Sequence, residues 1–131
     1  MSLANAAEDG DLDEVKRLIA KGSDVNERVS RGIFSFGWTP LHLAANSSHL
    51  DVVKYLLKKK ANIDSKNIYL FGRTPLDLAR SWGYTHIVEF LQNYRQKEAE
   101  ENRRKRELLK CLESYAMKIS MLHGEIVEAV I

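Results

Sequence analysis

Gly37-Trp38-Thr39-Pro40-Leu41-His42-Leu43-Ala44-Ala45 returns 35 residues later as Gly72-Arg73-Thr74-Pro75-Leu76-Asp77-Leu78-Ala79-Arg80. The likeness extends on both sides. Ile33-Phe34-Ser35-Phe36 precedes the first copy as Ile68-Tyr69-Leu70-Phe71 precedes the second, and Leu50 to Leu56 corresponds to Thr85 to Leu91. A shift of 38 residues toward the N-terminus finds Ala6-Ala7 under Ala44-Ala45, and Gly10 to Ile19 under Ser48 to Leu57. The chain therefore reads as three units, the first without an opening hairpin.

Each unit explains itself physically. Thr39 and Thr74 suit helix N-caps, and Pro40 and Pro75 stand at the first helical position, where a missing N–H costs nothing. Asp77 adds a carboxylate at the positive end of its helix dipole. Leu41, Leu43 and Ala44 make a short inner helix, and Val52, Val53, Leu56 and Leu57 form the apolar stripe of a second, antiparallel one. Neither helix buries its face alone, so the units must stack.

The TPLHLA core followed by a VVKYLL run resembles the ankyrin repeat family over Ser2 to about Tyr94, with repeats at about 2–26, 37–64 and 72–94. The resemblance implies an all-α repeat solenoid of paired antiparallel helices with hairpin loops, working as a protein-binding module or adaptor. It also implies that the residue before each Thr-Pro, and the two ending each inner helix, lie on a concave surface that meets the partner. Here these are Trp38 and Arg73, then Asn46, Ser47, Ser81 and Trp82. For Trp82 a second reading stands, in which the ring tucks onto Tyr84 or the following helix.

In the first unit, Asn5 replaces the Leu43 equivalent, and Glu14 and Arg17 stand where later units carry Val52 and Tyr55. Polar residues at these sites mark an N-terminal cap. Ser48 and Lys60 occupy positions where the family usually has Gly. If they adopt positive φ, each costs about 1 kcal/mol.

The hairpins are longer than the family norm and carry bulky residues: Ile33, Phe34, Phe36 and Trp38 in one, Ile68, Tyr69, Leu70 and Phe71 in the other. Two readings remain open. Either the fingers pack on each other, or their tips stand proud as partner anchors, since aromatic residues dominate interface hot spots. A mixed arrangement places Phe36 and Phe71 inside and Phe34, Tyr69 and Leu70 outside.

Residues 95–107 lack Gly and Pro and contain charge-matched pairs at helical spacing, such as Glu100 with Arg104 and Glu101 with Lys105. They read as a solvated continuation of the last repeat's helix. Arg103 to Arg106 form a basic cluster, but acidic neighbours weaken any phosphate or nuclear-import reading. In residues 108–131, Leu108, Leu112, Tyr115, Ile119, Leu122 and Ile126 alternate four and three apart, the seam of a heptad repeat. His123-Gly124 is a candidate helix end. The seam must be covered by a second copy, by the third repeat or by another protein.

Composition bounds the rest. With 20 Lys and Arg against 18 Asp and Glu, the net charge of +2 gives no bulk drive toward nucleic acid or an acidic membrane. Neither a membrane span nor a signal layout is present, so a cytoplasmic or nuclear location is expected. Cys111 is the single cysteine, which precludes an intrachain disulfide and reads as a small core residue. Phosphate loops, G-x-S-x-G elbows and metal-ligand spacings are missing, and His42 and His49 sit where the repeat itself uses His. The expectation is a non-enzymatic protein without cofactor, metal or small-molecule substrate.

Overall fold

The computed structural model describes residues 2–32, 36–68 and 72–130, with the side chain of residue 130 excepted. It forms two units, Met1–Asn93 and Tyr94–Ile131. The first contains α1 (Leu3–Asp9), α2 (Leu12–Ala20), α3 (Pro40–Asn46), α4 (Leu50–Lys58) and α5 (Pro75–Trp82), and the start of α6 (Thr85–Val130). The remainder of α6 is the second unit.

Capping residues set the helix starts. Ser2 caps α1 by accepting from Asn5 N–H at 3.2 Å, and Asp11 caps α2 by accepting from Glu14 N–H at 3.1 Å. Thr39 and Thr74 begin α3 and α5 with full capping boxes, closed by the side chains of His42 and Asp77, and Pro follows each. The hydroxyls satisfy N–H groups that no helical carbonyl can reach.

α3 lies between α1 and α5 in an inner layer, while α2 and α4 pack on each other and on their own inner helices. Leu3, Leu41, Val52, Val53, Leu56, Ile87 and Leu91 are fully buried, so the core runs from the first repeat to the third. Small residues let the inner helices approach: Ala4, Ala6, Ala7, Ala44, Ala45 and Ala79 have no exposed surface. On α2, Glu14 accepts from Arg17 Nε at 2.8 Å, so the polar pair expected of a cap finds its partner within the helix.

The second repeat carries the anticipated backbone strain. Ser48 and Lys60 adopt φ of 63° and 74°, in the left-handed region that Gly occupies without penalty. Both follow helix ends, where the chain must reverse. Ser48→Gly and Lys60→Gly should each stabilise the chain by about 0.5 kcal/mol, the relief of the Cβ clash less the added freedom of the unfolded chain. Chemical denaturation of the two variants and the double checks this, and unchanged midpoints would refute it.

Two expectations about the second unit are corrected. Helix α6 runs through His123 and Gly124 to Val130, because one Gly costs only about 1 kcal/mol in a helix of good formers. Cys111 is exposed rather than a core residue, since every described side chain from 95 to 129 on this helix is exposed. Residues 95–107 are helical, with Arg104 and Lys105 paired to Glu100 and Glu101 at 3.1 and 3.5 Å.

Candidate protein-binding surface

The finger bases are held together by a backbone network. Val29 and Trp38 exchange both main-chain hydrogen bonds, at 2.9 and 3.0 Å, closing the first finger. Asn67 closes the second: its N–H donates to Arg73 C=O at 2.9 Å, and its Oδ1 accepts from Arg73 N–H at 2.9 Å. The fingers meet where Ile68 N–H donates to Phe36 C=O at 3.0 Å. Gly37 adopts φ of 70°, the left-handed region that Gly occupies without penalty, and a Cβ there would also press on the Ile68 side chain at 2.6 Å.

Arg28 joins them as a clamp that sequence reasoning missed. Its Nη1 donates to Gly37 C=O at 2.9 Å in the first finger and to Lys66 C=O at 2.8 Å in the second. Only a basic residue near the start of a finger hinted at it. Glu27 and Arg31 were also missed: Glu27 Oε1 accepts from Ala4 N–H at 3.2 Å, and Arg31 engages Asn5 and Glu8.

His42 connects repeats beneath this surface. Thr39 N–H donates to Nδ1 at 3.1 Å, so the ring's proton sits on Nε2, which donates to Arg73 C=O at 2.9 Å. Burial holds the imidazole below its ordinary value near 6.5, and the bond to Arg73 only partly offsets that. A second proton would also point at the Thr39 N–H donor. His49 makes a similar link, its Nε2 meeting Glu8 C=O at 3.0 Å.

The proposed contact residues fall into separate groups. Trp82 is 62% exposed at the end of α5, and its indole N–H donates to Asn46 Oδ1 at 2.7 Å at the end of α3. That bond spans two repeats and leaves the ring facing solvent, so Trp82 is not tucked away. Ser81 and the Arg73 side chain are exposed, and Ser47 is half-buried as the α3 C-cap. The Arg73 main chain is pinned by Asn67 and His42, so an exposed side chain rises from a fixed backbone.

Trp38 departs from the expectation. It is only 9% exposed, in a cluster with Ala4, Leu43 and Leu78 against Val29, and it is a core residue rather than an exposed anchor. The bridge to Val29 fixes its main chain, and the alanine-rich inner layer leaves room for the ring. Phe36 is also reversed, being 43% exposed instead of inside the finger pair, and Ile68 is 74% exposed beside it. Ile33, Phe34, Tyr69, Leu70 and Phe71 lie outside the described residues.

In the second unit, Leu108, Leu112, Tyr115, Ile119, Leu122 and Ile126 are each between 52% and 65% exposed along one helix. Among the described residues, no three His, Cys, Asp or Glu side chains are grouped so as to hold a metal ion. No helix searched is long and apolar enough to cross a membrane.

Comparison with known proteins bears on this geometry. The family described as ankyrin repeats (3 copies) matches residues 3–105. The chain is similar to protein phosphatase 1 regulatory subunit 27 of Homo sapiens, 35% identical over 66 residues, covering 50% of this chain and 40% of that protein. It is also similar to ankyrin repeat domain-containing protein 40 of Homo sapiens, 43% identical over 60 residues, covering 46% of this chain and 15% of that protein. Alpha-latrocrustotoxin-Lt1a of Latrodectus tredecimguttatus is 44% identical over 62 residues, covering 47% of this chain and 4% of the toxin. The chain thus spans less than half the length of these relatives.

Proposed function

Because the chain belongs to the ankyrin repeat family, we propose that its first unit is a non-enzymatic module that docks a protein partner on the finger bases and inner-helix ends. The observation that carries this reading is Trp82, a large exposed ring held by Asn46 across two repeats. An aromatic ring positioned before the partner arrives loses little freedom on contact, which raises the affinity its area can give. Phe36, Ile68, Arg73 and Ser81 are exposed and supply further apolar and polar contacts. A relative named as a regulatory subunit is consistent with binding rather than catalysis. A compartment that keeps Cys111 reduced, cytoplasm or nucleus, suits the exposed thiol.

Proteins captured by the intact chain from a lysate are compared with those captured by Trp82→Ala, and the affinity for a recovered partner is measured. Loss of roughly 30-fold in affinity with an unchanged melting temperature is expected, the size of a hot-spot truncation. Equal affinity in both would remove this surface from the function.

A second reading rests on the exposed heptad seam of α6: the second unit joins copies, and the repeats are displayed multivalently. Deleting Leu108 to Ile131 separates the roles. A binding module keeps its single-site affinity, whereas an assembling protein loses its multimeric mass.

A further inference from the structure

We propose that the outer face of the repeats, at Lys16, Lys54, Lys58 and Lys59, is a second docking surface that takes a carboxylate-rich segment of a protein. It is separate from the Trp82 surface and goes beyond the binding role proposed above. Lys16 on α2 and Lys54 on α4 hold the same repeat position, 38 residues apart. Each reaches an aromatic ring of the following repeat: Lys16 Nζ lies 5.6 Å from the centre of the Tyr55 ring, and Lys54 Nζ lies 5.4 Å from that of Phe90. Lys59, the C-cap of α4, also stands over Tyr55, at 5.7 Å. Two cations from consecutive repeats therefore share one half-buried ring.

Lys58 follows one helical turn after Lys54 on the same face. All four lysines are exposed, and among the described residues none of them is in an ion pair. Asp13 and Asp51 precede Lys16 and Lys54 by three positions yet make no bridge to them, because the ammonium groups turn toward the rings of the next repeat. Glu14 is taken by Arg17. Basic residues at a helix C-terminus complement its dipole, which accounts for Lys58 and Lys59. Lys16 and Lys54 stand in mid-helix, where that reason lapses. The ring contacts restrain flexible side chains before a partner arrives, so less freedom is lost on binding. The result is a positive field without a bridging counter-charge, and an acidic partner complements it.

The face also discriminates among anions. Neither α2 nor α4 has an exposed large apolar side chain, so a lipid surface would meet charge with nothing to insert. Tyr55 is half-buried beneath its lysines, which denies a nucleobase a ring to stack on. The cations are lysines rather than the forked guanidinium groups suited to phosphate. Spaced carboxylates on a polypeptide need only point charges.

The test is fluorescence anisotropy of a labelled polyglutamate peptide titrated with the intact chain, beside a polyglutamine peptide of equal length, phosphatidylserine vesicles and a single-stranded oligonucleotide. Polyglutamate is expected to bind and polyglutamine not, with added salt weakening the complex. Lys16→Gln with Lys54→Gln should weaken it roughly tenfold, whereas Lys16→Arg with Lys54→Arg should keep it. Arg103→Gln with Arg106→Gln, on α6, should leave it unchanged. Circular dichroism confirms that each variant is folded. Absence of polyglutamate binding, indifference to the lysine variant, or loss with the α6 variant overturns the proposal. Binding of vesicles or of the oligonucleotide at lower chain concentration, through the same lysines, overturns the choice of an acidic protein. Trp82→Ala should change none of these values, so the two surfaces stand or fail separately.

Discussion

Leu41→Ala is expected to destabilise the repeat unit by about 3 kcal/mol, within the range of about 2–5 found when buried Leu is truncated. Leu41 has no exposed surface and lies on α3, which has an inner helix on each side. The cavity would therefore weaken two inter-repeat contacts together. In a stack this short, no distant repeat shares the loss, because stability is a sum of unit and nearest-neighbour terms. A domain of this size holds only about 5–10 kcal/mol in total. Urea unfolding followed by circular dichroism should show a large fall in midpoint, and a change below about 1 kcal/mol would mean that the α3 core repacks around the gap.

His42→Ala should cost about 2–4 kcal/mol, combining lost packing with a stranded Thr39 N–H and the loss of one of the two bonds to the Arg73 carbonyl, which keeps Asn67 N–H. The same ring predicts an acid response. Its folded value lies below its unfolded one, so the folded protein binds its proton less readily. Its contribution is complete above the unfolded value near 6.5 and is lost as pH falls from there through the lowered folded value. Stability measured from neutral pH downward should therefore decline in wild type more steeply than in His42→Ala. Parallel curves would assign the acid sensitivity to other groups.

Most of the architecture was readable because repetition reports on packing. A motif that recurs with Thr-Pro at helix starts and Leu at buried positions identifies caps and inner faces before any coordinates. Ser48 and Lys60 were legible for the same reason, since two other units show what the site demands. The misjudged residues are those whose surroundings lie far along the chain. Trp38 occupies the register of the exposed Arg73, and nothing in its own stretch shows that Ala4 and Leu78 close over it. Arg28 looks like any surface cation until Gly37 and Lys66 are brought together. Gly124 was overread as a terminator because local propensity is weak against the helix-forming residues on both sides of it.

The Arg28 clamp limits how freely these units can be shuffled. Tandem repeats are often treated as interchangeable bricks, yet one guanidinium here serves a carbonyl in each of two consecutive fingers. Transplanting either finger into a different array would part Arg28 from the Lys66 carbonyl, while its bond to Gly37 travels with the first finger. The unit to move in engineering is therefore the pair from Glu27 to Thr74, carried as a single cassette.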